Sequence, residues 1–490
     1  MSTETVEPVQ SAEPPKPKRK WLKRTIITIL AVLGFLIVLI VAALWWTGIP
    51  TKAAGLTAQS VCAGTFVGGR DAQTVYDEDV IPQSPALGVV SFNADTDTKT
   101  VTAKFLGLVS RTAAYAGNRG CVLDIDADPN AQAYAAPPTK PGAWPQGDKA
   151  VPESQWADGV NKVGLQGVVD QAFVGQGDPE GVNARGVAVV QGGKLLTEKT
   201  APGFETASPQ LGWSMTKTVN AMLFYQVAVA NNMDLDAKVV DSFPSGKEPE
   251  WVGQWRQDGR EAITVNDLLH MRAGLYIADD YGILGKVVKM LYTEPSMADY
   301  AASQSLITEP GTTFAYSTGE ADILSQIAQA RFPTDQAYWE FPSKALFDPI
   351  GVTSGTMTTD TAGAWVGGSY LWANPGDWAR LGQMMMQDGV WDGKQVLPKG
   401  WLDLAKTRSL PTGEGAGYGA QTWFPGDPGG GECKGQVPKD TMSMEGHYGQ
   451  IVAMVPSYDA VIVRMGWTIN KDEFSGCQFV ADVLKNLPPK

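Results

Sequence analysis

Ser214 and Lys217 stand three residues apart, just after a Gly212-Trp213 turn and at the start of a helical pattern that runs to about Asn231. Side chains so spaced on a helix face the same way, within hydrogen-bond reach. There the serine oxygen meets the positive pole of the helix dipole, and the lysine ammonium loses its proton readily if it is desolvated or crowded by another cation. Such a pair makes serine nucleophilic without histidine. The spacing equally fits a helix N-cap followed by an exposed lysine, so its meaning rests on its company. Two later stretches supply that company. Pro310-Gly311-Thr312-Thr313-Phe314-Ala315-Tyr316-Ser317-Thr318 presents a tyrosine on a loop ahead of a helix at about Ala321 to Ala330. Gly446-His447-Tyr448-Gly449-Gln450 leads into a strand that ends near Val455. The other histidine, His270, sits in a helix-start pattern with Leu268, Leu269 and Met271 and reads as structural. Catalytic zinc takes about three protein ligands, and two histidines without a His-Glu-x-x-His pattern do not supply them. No metal or other cofactor is expected.

The elements that must position these residues are legible in the pattern. A helix is predicted from about Val163 to Val174, then a hairpin, Arg185 to Val190 and Lys194 to Lys199, turned by Gly192-Gly193. A long, mostly helical region follows to about Gln387. One helix in it has Asn374 as N-cap, Pro375 in its first turn, Trp378, Leu381 and Met385 on one face, and Gly389 at its end. Strands return at Gln450 to Val455 and Ala460 to Gly466, and a helix from about Cys477 to Asn486 closes the chain. Strands at both ends with helices between predict an α/β (α+β) architecture: one antiparallel sheet completed by the C-terminal segments, with a helical lobe inserted. Ahead of it, Val61 to Val67, Gly88 to Phe92 and Val101 to Phe105 read as short strands, with a turn at Asp95 to Thr98. Pro129, Pro137, Pro138, Pro141, Pro145 and Pro152 mark a semi-rigid surface linker after them. The expected organisation is therefore a tail at 1–24, an apolar helix at 25–46, a small β-rich unit at 55–126, a Pro-rich linker at 127–160 and a main domain at 161–490. At 490 residues the chain exceeds what one core usually organises.

Net charge is −13, but the first 24 residues carry +3 and the remainder −16. An acidic body with no basic stripe excludes nucleic acid as a partner. From Thr25 to Trp46 no residue is charged, and as a helix the segment would reach roughly 33 Å, enough for a bilayer core. The basic cluster before it and Trp45-Trp46 after it predict a single-pass anchor in the cell (inner) membrane. The N-terminus would be cytoplasmic and everything past about Gly48 periplasmic or extracytoplasmic. The apolar run is longer than a signal-peptide core, and Ala53-Ala54 makes a poor cleavage site, so the anchor is expected to stay. Cys62, Cys121, Cys433 and Cys477 all fall on the exported side, where disulfides persist. Of three possible pairings, Cys62 with Cys121 and Cys433 with Cys477 close loops of moderate length within one unit each.

Ser214 to Lys217, Tyr316 to Thr318 and His447 to Gly449 resemble, in order and spacing, the three motifs of the penicillin-recognising serine hydrolases. Within that superfamily the chain is most similar to the class C β-lactamase type, which includes esterases and 6-aminohexanoate-dimer hydrolases. Ile263 to Leu275, Gly367 to Leu371 and Asp377 to Arg380 support the likeness, which covers about Gly164 to Leu487 and leaves residues 55–153 unexplained. The resemblance implies a β-lactamase/transpeptidase-like fold and an acyl-enzyme on Ser214, with a small ester or amide as substrate. It implies that Lys217 takes or relays the serine proton and that Tyr316 acts as general base or passes the proton to the leaving group. It makes the backbone N–H groups of Ser214 and Gln450 the oxyanion hole, and places His447, Gly449 and Thr318 against the substrate. Gly449 is expected to leave room for the acyl group. Histidine in place of the lysine of β-lactamases removes fixed positive charge, and Thr318 replaces an asparagine, so both depart from β-lactam hydrolysis. Two alternatives are an inactive relative that binds peptidoglycan or a partner protein, and a D-alanyl-D-alanine peptidase or β-lactamase.

Overall fold

Alternating branched and small residues build the central sheet. Ala184–Gln191 and Lys194–Thr200 form a hairpin, and Met442–Gly446, Gln450–Val455 and Ala460–Gly466 form a meander that joins it. The five strands are all antiparallel, and Ala460–Gly466 pairs with Ala184–Gln191, so the first and last strands of the domain meet at its middle. Successive side chains alternate faces, and both faces here are covered. Val187, Val189, Ala453, Val455 and Ile462 pack against Leu165 and Val169 of the helix Lys162–Gln171 and against Phe479, Val480 and Val483 of the helix Gly476–Leu484. The opposite face carries the helix Pro375–Met386, where a Cβ on Gly382 would lie 2.8 Å from Val452 and 2.9 Å from Val461. That contact is why a glycine stands inside a helix. The strands therefore read as continuous apolar runs, and each deeply buried valine or leucine contributes roughly 1.5–3 kcal/mol.

The computed structural model describes residues 2–3, 19–128, 130–138, 141–175 and 181–490. It divides into two units, Met1–Pro50 and Thr51–Lys490. In the first, Arg19–Thr47 is one helix of 29 residues. Among the described residues no helix is long and apolar enough to cross a membrane. Most of the tail at 1–24, and Pro129 of the linker, lie outside the described residues.

In the second unit the segment expected as a strand at Val61 to Val67 is instead the end of a helix, Ile49–Phe66. Small residues decide this: a Cβ on Gly55 would lie 2.2 Å from the Tyr292 carbonyl oxygen, and one on Gly64 would lie 2.6 Å from Val75. A flat helix face packs that closely; a branched strand would not. Val90–Asp95, Thr100–Phe105, Val109–Tyr115 and Cys121–Leu123 form a four-stranded antiparallel meander. It is tied to the rest of the unit by Gln59 Nε2 donating to the Cys121 carbonyl at 2.7 Å, Arg119 Nε to Thr359 Oγ1 at 3.2 Å and Thr361 Oγ1 to the Leu123 carbonyl at 2.9 Å. The proline-rich stretch is pinned as well as draped, since Arg380 donates to the Gly147 carbonyl at 2.7 Å and Trp144 is buried. Both expected disulfides are present, Cys62–Cys121 and Cys433–Cys477.

Candidate active site

The helix Met215–Ala230 is buried on nearly every side and aims its N-terminus into the unit. Gly212 starts the turn that enters it, because a Cβ there would lie 2.2 Å from the Trp378 ring. Trp213 completes the turn at φ +48°, a left-handed conformation that costs a non-glycine residue roughly 1–3 kcal/mol. Ser214 follows as N-cap, yet its side chain makes no capping hydrogen bond. The hydroxyl instead accepts from Lys217 Nζ at 2.9 Å, and both residues are buried. The serine therefore holds the N-cap position without capping through its side chain, and the lysine is buried rather than exposed.

Lys217 Nζ also donates to Thr318 Oγ1 at 3.0 Å and to the Gly368 carbonyl at 2.8 Å. Gly367 and Gly368 let their loop come this close: a Cβ on Gly368 would lie 2.4 Å from Thr318 Cγ2. Asp322 Oδ1 holds that loop by accepting the Gly368 N–H at 3.0 Å. Burial pushes the Lys217 ammonium down to about 8, against the opposing pull of Asp279 and Asp322. Burial likewise raises Asp322 above the ordinary carboxylate range.

Tyr316 lies on the loop before the helix Thr318–Gln329, capped by Ser317. Its ring stacks on Trp423 with centroids 5.3 Å apart, and Lys217 Nζ sits 4.7 Å from its centre. Desolvation holds its phenol well above the ordinary value, while Ser214 favours the ionised form. A second phenol, Tyr281, stands nearby. Its hydroxyl has no partner in hydrogen-bonding geometry, yet lies near Ser369, Thr318 and Ser214, and burial raises its pKa strongly. Trp251, Trp255 and Tyr292 are core.

The third motif forms the turn between Met442–Gly446 and Gln450–Val455. The His447 ring stacks on Tyr281 at 4.2 Å and meets the edge of Trp213 at 5.6 Å. Desolvation, aided by Lys471, pushes the imidazole down to about 3, so it is neutral at pH 7. Three expectations change here. Thr318, expected to face substrate, is fully buried and spends its oxygen on Lys217 and on Asp279 Oδ1, to which it donates at 2.6 Å. Gly449 does not clear an acyl path: it takes φ +80°, and a Cβ would lie 2.4 Å from the buried Arg464 guanidinium. Gln450 belongs to the second strand, paired with Gly446. Ser443 exchanges hydrogen bonds with Trp423 on the outer edge, at 2.9 and 3.0 Å. By the two-residue period its outward N–H successors are Glu445 and His447. Gly446 abuts the Gly212 carbonyl, since a Cβ there would lie 2.3 Å from it. By this register the N–H of Gln450 points into the sheet toward Gly446, which leaves the N–H of His447 as the candidate edge donor.

His270 is structural: it is buried and its Nδ1 meets the Asn266 carbonyl at 2.9 Å. Among the described residues no cluster could hold a metal ion. Sequence reasoning missed Asp279, Asp322 and Trp213; the Asp-Asp-Tyr run at 279–281 just beyond the helical pattern was the available signal.

Comparison with solved structures finds the same fold repeatedly. A protein assigned as a β-lactamase from Bacteroides dorei DSM 17855 superposes with a TM-score of 0.53 at 18% identity, covering 67% of this chain and 99% of that one. A family VIII carboxylesterase gives 0.51 at 14% identity, with 66% and 97% covered. A protein assigned as a 6-aminohexanoate-dimer hydrolase from Bacillus anthracis gives 0.49 at 20%, with 66% and 83% covered. No curated protein matches the sequence. The family model described as Beta-lactamase matches residues 169–472, a span that holds Ser214, Lys217, Tyr316 and His447. The chain thus belongs to the β-lactamase family of serine hydrolases.

Proposed function

We propose that the protein is a membrane-anchored serine hydrolase that cleaves an ester or amide through an acyl-enzyme on Ser214. The observation that carries this reading is the 2.9 Å contact between Lys217 Nζ and an uncapping Ser214 Oγ. Neutral Lys217 takes the hydroxyl proton as Ser214 Oγ bonds to the carbonyl carbon, and the Ser214 and His447 N–H groups receive the oxyanion. Removing one such donor costs roughly 3–4 kcal/mol in other enzymes. Collapse expels the leaving group, which takes a proton from Tyr316, itself refilled from Lys217; water then repeats the sequence to release the acid. The neutral imidazole of His447 offers no charge to a substrate carboxylate, which favours neutral esters or amides over β-lactams. The uncharged stretch 25–46 supports the anchor, with the hydrolase on the extracytoplasmic side. A fluorophosphonate probe tests the core of this reading. Wild type should label and Ser214→Ala should not; an unlabelled wild type would favour an inactive binding protein. A panel of p-nitrophenyl esters, a chromogenic cephalosporin and linear amide dimers then separates the substrate classes.

A further inference from the structure

Lys217 Nζ has three oxygen neighbours: Ser214 Oγ at 2.9 Å, Thr318 Oγ1 at 3.0 Å and the Gly368 carbonyl at 2.8 Å. The ammonium form satisfies all three with its three N–H bonds. The amine that must accept the serine proton has two N–H bonds and one lone pair, so one neighbour has to donate to it. Gly368 O cannot donate, and its peptide is fixed from behind by Asp322. A threonine hydroxyl normally could, since its hydrogen rotates freely. Here that hydrogen is committed, because Thr318 Oγ1 lies 2.6 Å from Asp279 Oδ1. Thr318 is fully buried, so no water competes for the hydroxyl.

We propose that Asp279 is a positioning residue of the hydrolase. By holding the Thr318 hydroxyl hydrogen, it leaves Ser214, of the three oxygens hydrogen-bonded to Lys217, as the one that can donate to the neutral amine. The amine lone pair is thereby aimed at the nucleophile. Without Asp279, Thr318 can turn its hydrogen toward the amine and hold it in an unproductive orientation. The inference rests on the reading of Ser214 and Lys217 given above. The other titratable groups that face Lys217 are Asp322 from the helix Thr318–Gln329 and the phenols of Tyr316 and Tyr281. Tyr281, Tyr316 and Tyr418 also feel the charge of Asp279.

The test is a double-mutant cycle between Asp279→Ala, which removes the acceptor, and Thr318→Val in the full-length protein, read as the second-order rate constant of fluorophosphonate labelling from pH 6 to 10. A hydrogen bond to a charged acceptor contributes enough to make a loss of about 10- to 100-fold expected at the alkaline plateau for Asp279→Ala. The acid limb should move to lower pH, because the removed carboxylate favours the charged lysine. In the Thr318→Val background the same substitution should cost little more. Thr318→Ser should recover most of the rate lost in Thr318→Val. With p-nitrophenyl acetate the loss should fall on kcat, with KM within about twofold. A shifted limb with an unchanged plateau would reduce Asp279 to a distant charge and overturn the inference, as would full additivity in the Thr318→Val background. Should Asp279→Ala not fold, equal rates in Thr318→Val and Thr318→Ser would overturn it as well. Failure of the underlying reading is distinct: wild type itself would then not label at Ser214.

Discussion

Acylation of Ser214 should follow the ionisation of Lys217, and the size of the effect can be worked from the structure. Burial brings the amine down to about 8. The neutral fraction is then about one half at pH 8, about 9% at pH 7 and about 1% at pH 6. Labelling by a fluorophosphonate needs no knowledge of the substrate, and its rate constant should fall about fivefold from pH 8 to 7 and about tenfold from pH 7 to 6. Asp322, opposed to Lys217 across the buried pocket, titrates with it, so the limb belongs to the pair. Neither alternative base gives this curve. Tyr316 is held well above the ordinary phenol value, so a tyrosinate base would keep the rate rising beyond pH 10. His447, near 3, would leave no inflection at all in the range. A flat profile from pH 6 to 8.5 would refute the assignment of Lys217. The same shift has a stability consequence with a definite sign. The folded lysine lies below its unfolded value of 10.5, so between about 8 and 10.5 the unfolded chain holds more protons and stability rises with pH. Below about 8 the cost of the buried charge is felt in full.

Lys217→Met should therefore separate function from stability: labelling falls by about 10²- to 10⁴-fold, while the melting temperature stays the same or rises, and a melting point several degrees lower would contradict the burial cost. Gly449→Ala forces a methyl to 2.4 Å from Arg464, which already donates to the Gly449 carbonyl at 2.7 Å and cannot retreat from its buried site. A loss of about 1–3 kcal/mol and slower labelling are expected, and wild-type values in both a melt and a labelling assay would refute the packing argument. Reduction of Cys62–Cys121 and Cys433–Cys477, whose partners are 59 and 44 residues apart, should cost about 2–4 kcal/mol each; an unchanged melting curve in dithiothreitol would show that neither staple matters.

What the sequence discloses and what it hides divide along one physical line. The helix Pro375–Met386 was legible because cap, proline and apolar face are all local, and Asn374 does accept from the Asp377 N–H at 2.7 Å. The hairpin around Gly192-Gly193 was legible for the same reason. Ser214, Lys217 and Tyr316 could be singled out because their motifs are short and ordered. Gln450 was misassigned because a donor's direction depends on strand register, which a period-two pattern leaves open until the partners are known. Val61 to Val67 looked like a strand because a short apolar run has no period of its own, and only the contacts at Gly55 and Gly64 show the helix. Asp279 and Tyr281 lie in irregular chain between Leu275 and Lys286, where nothing local encodes that one reaches Thr318 and the other reaches His447.

One cause assigns the roles at this site. Trp213 is ringed by Tyr281, Tyr370, His447, Tyr448 and Trp467, and this aromatic wall shields one side of the pocket at Ser214 from solvent. Exclusion of water disfavours whichever form of a group is charged. For Lys217 that means readier loss of a proton, which makes it a base; for Tyr316 it means a phenol that stays protonated; for His447 it means a neutral ring that can stack but not attract an anion. A single charged residue introduced into the wall would disturb all three at once. The separation of acid from base therefore depends on the desolvation the two side chains share as well as on their identities, and the left-handed φ of Trp213 belongs to the turn that brings the nucleophile into that pocket.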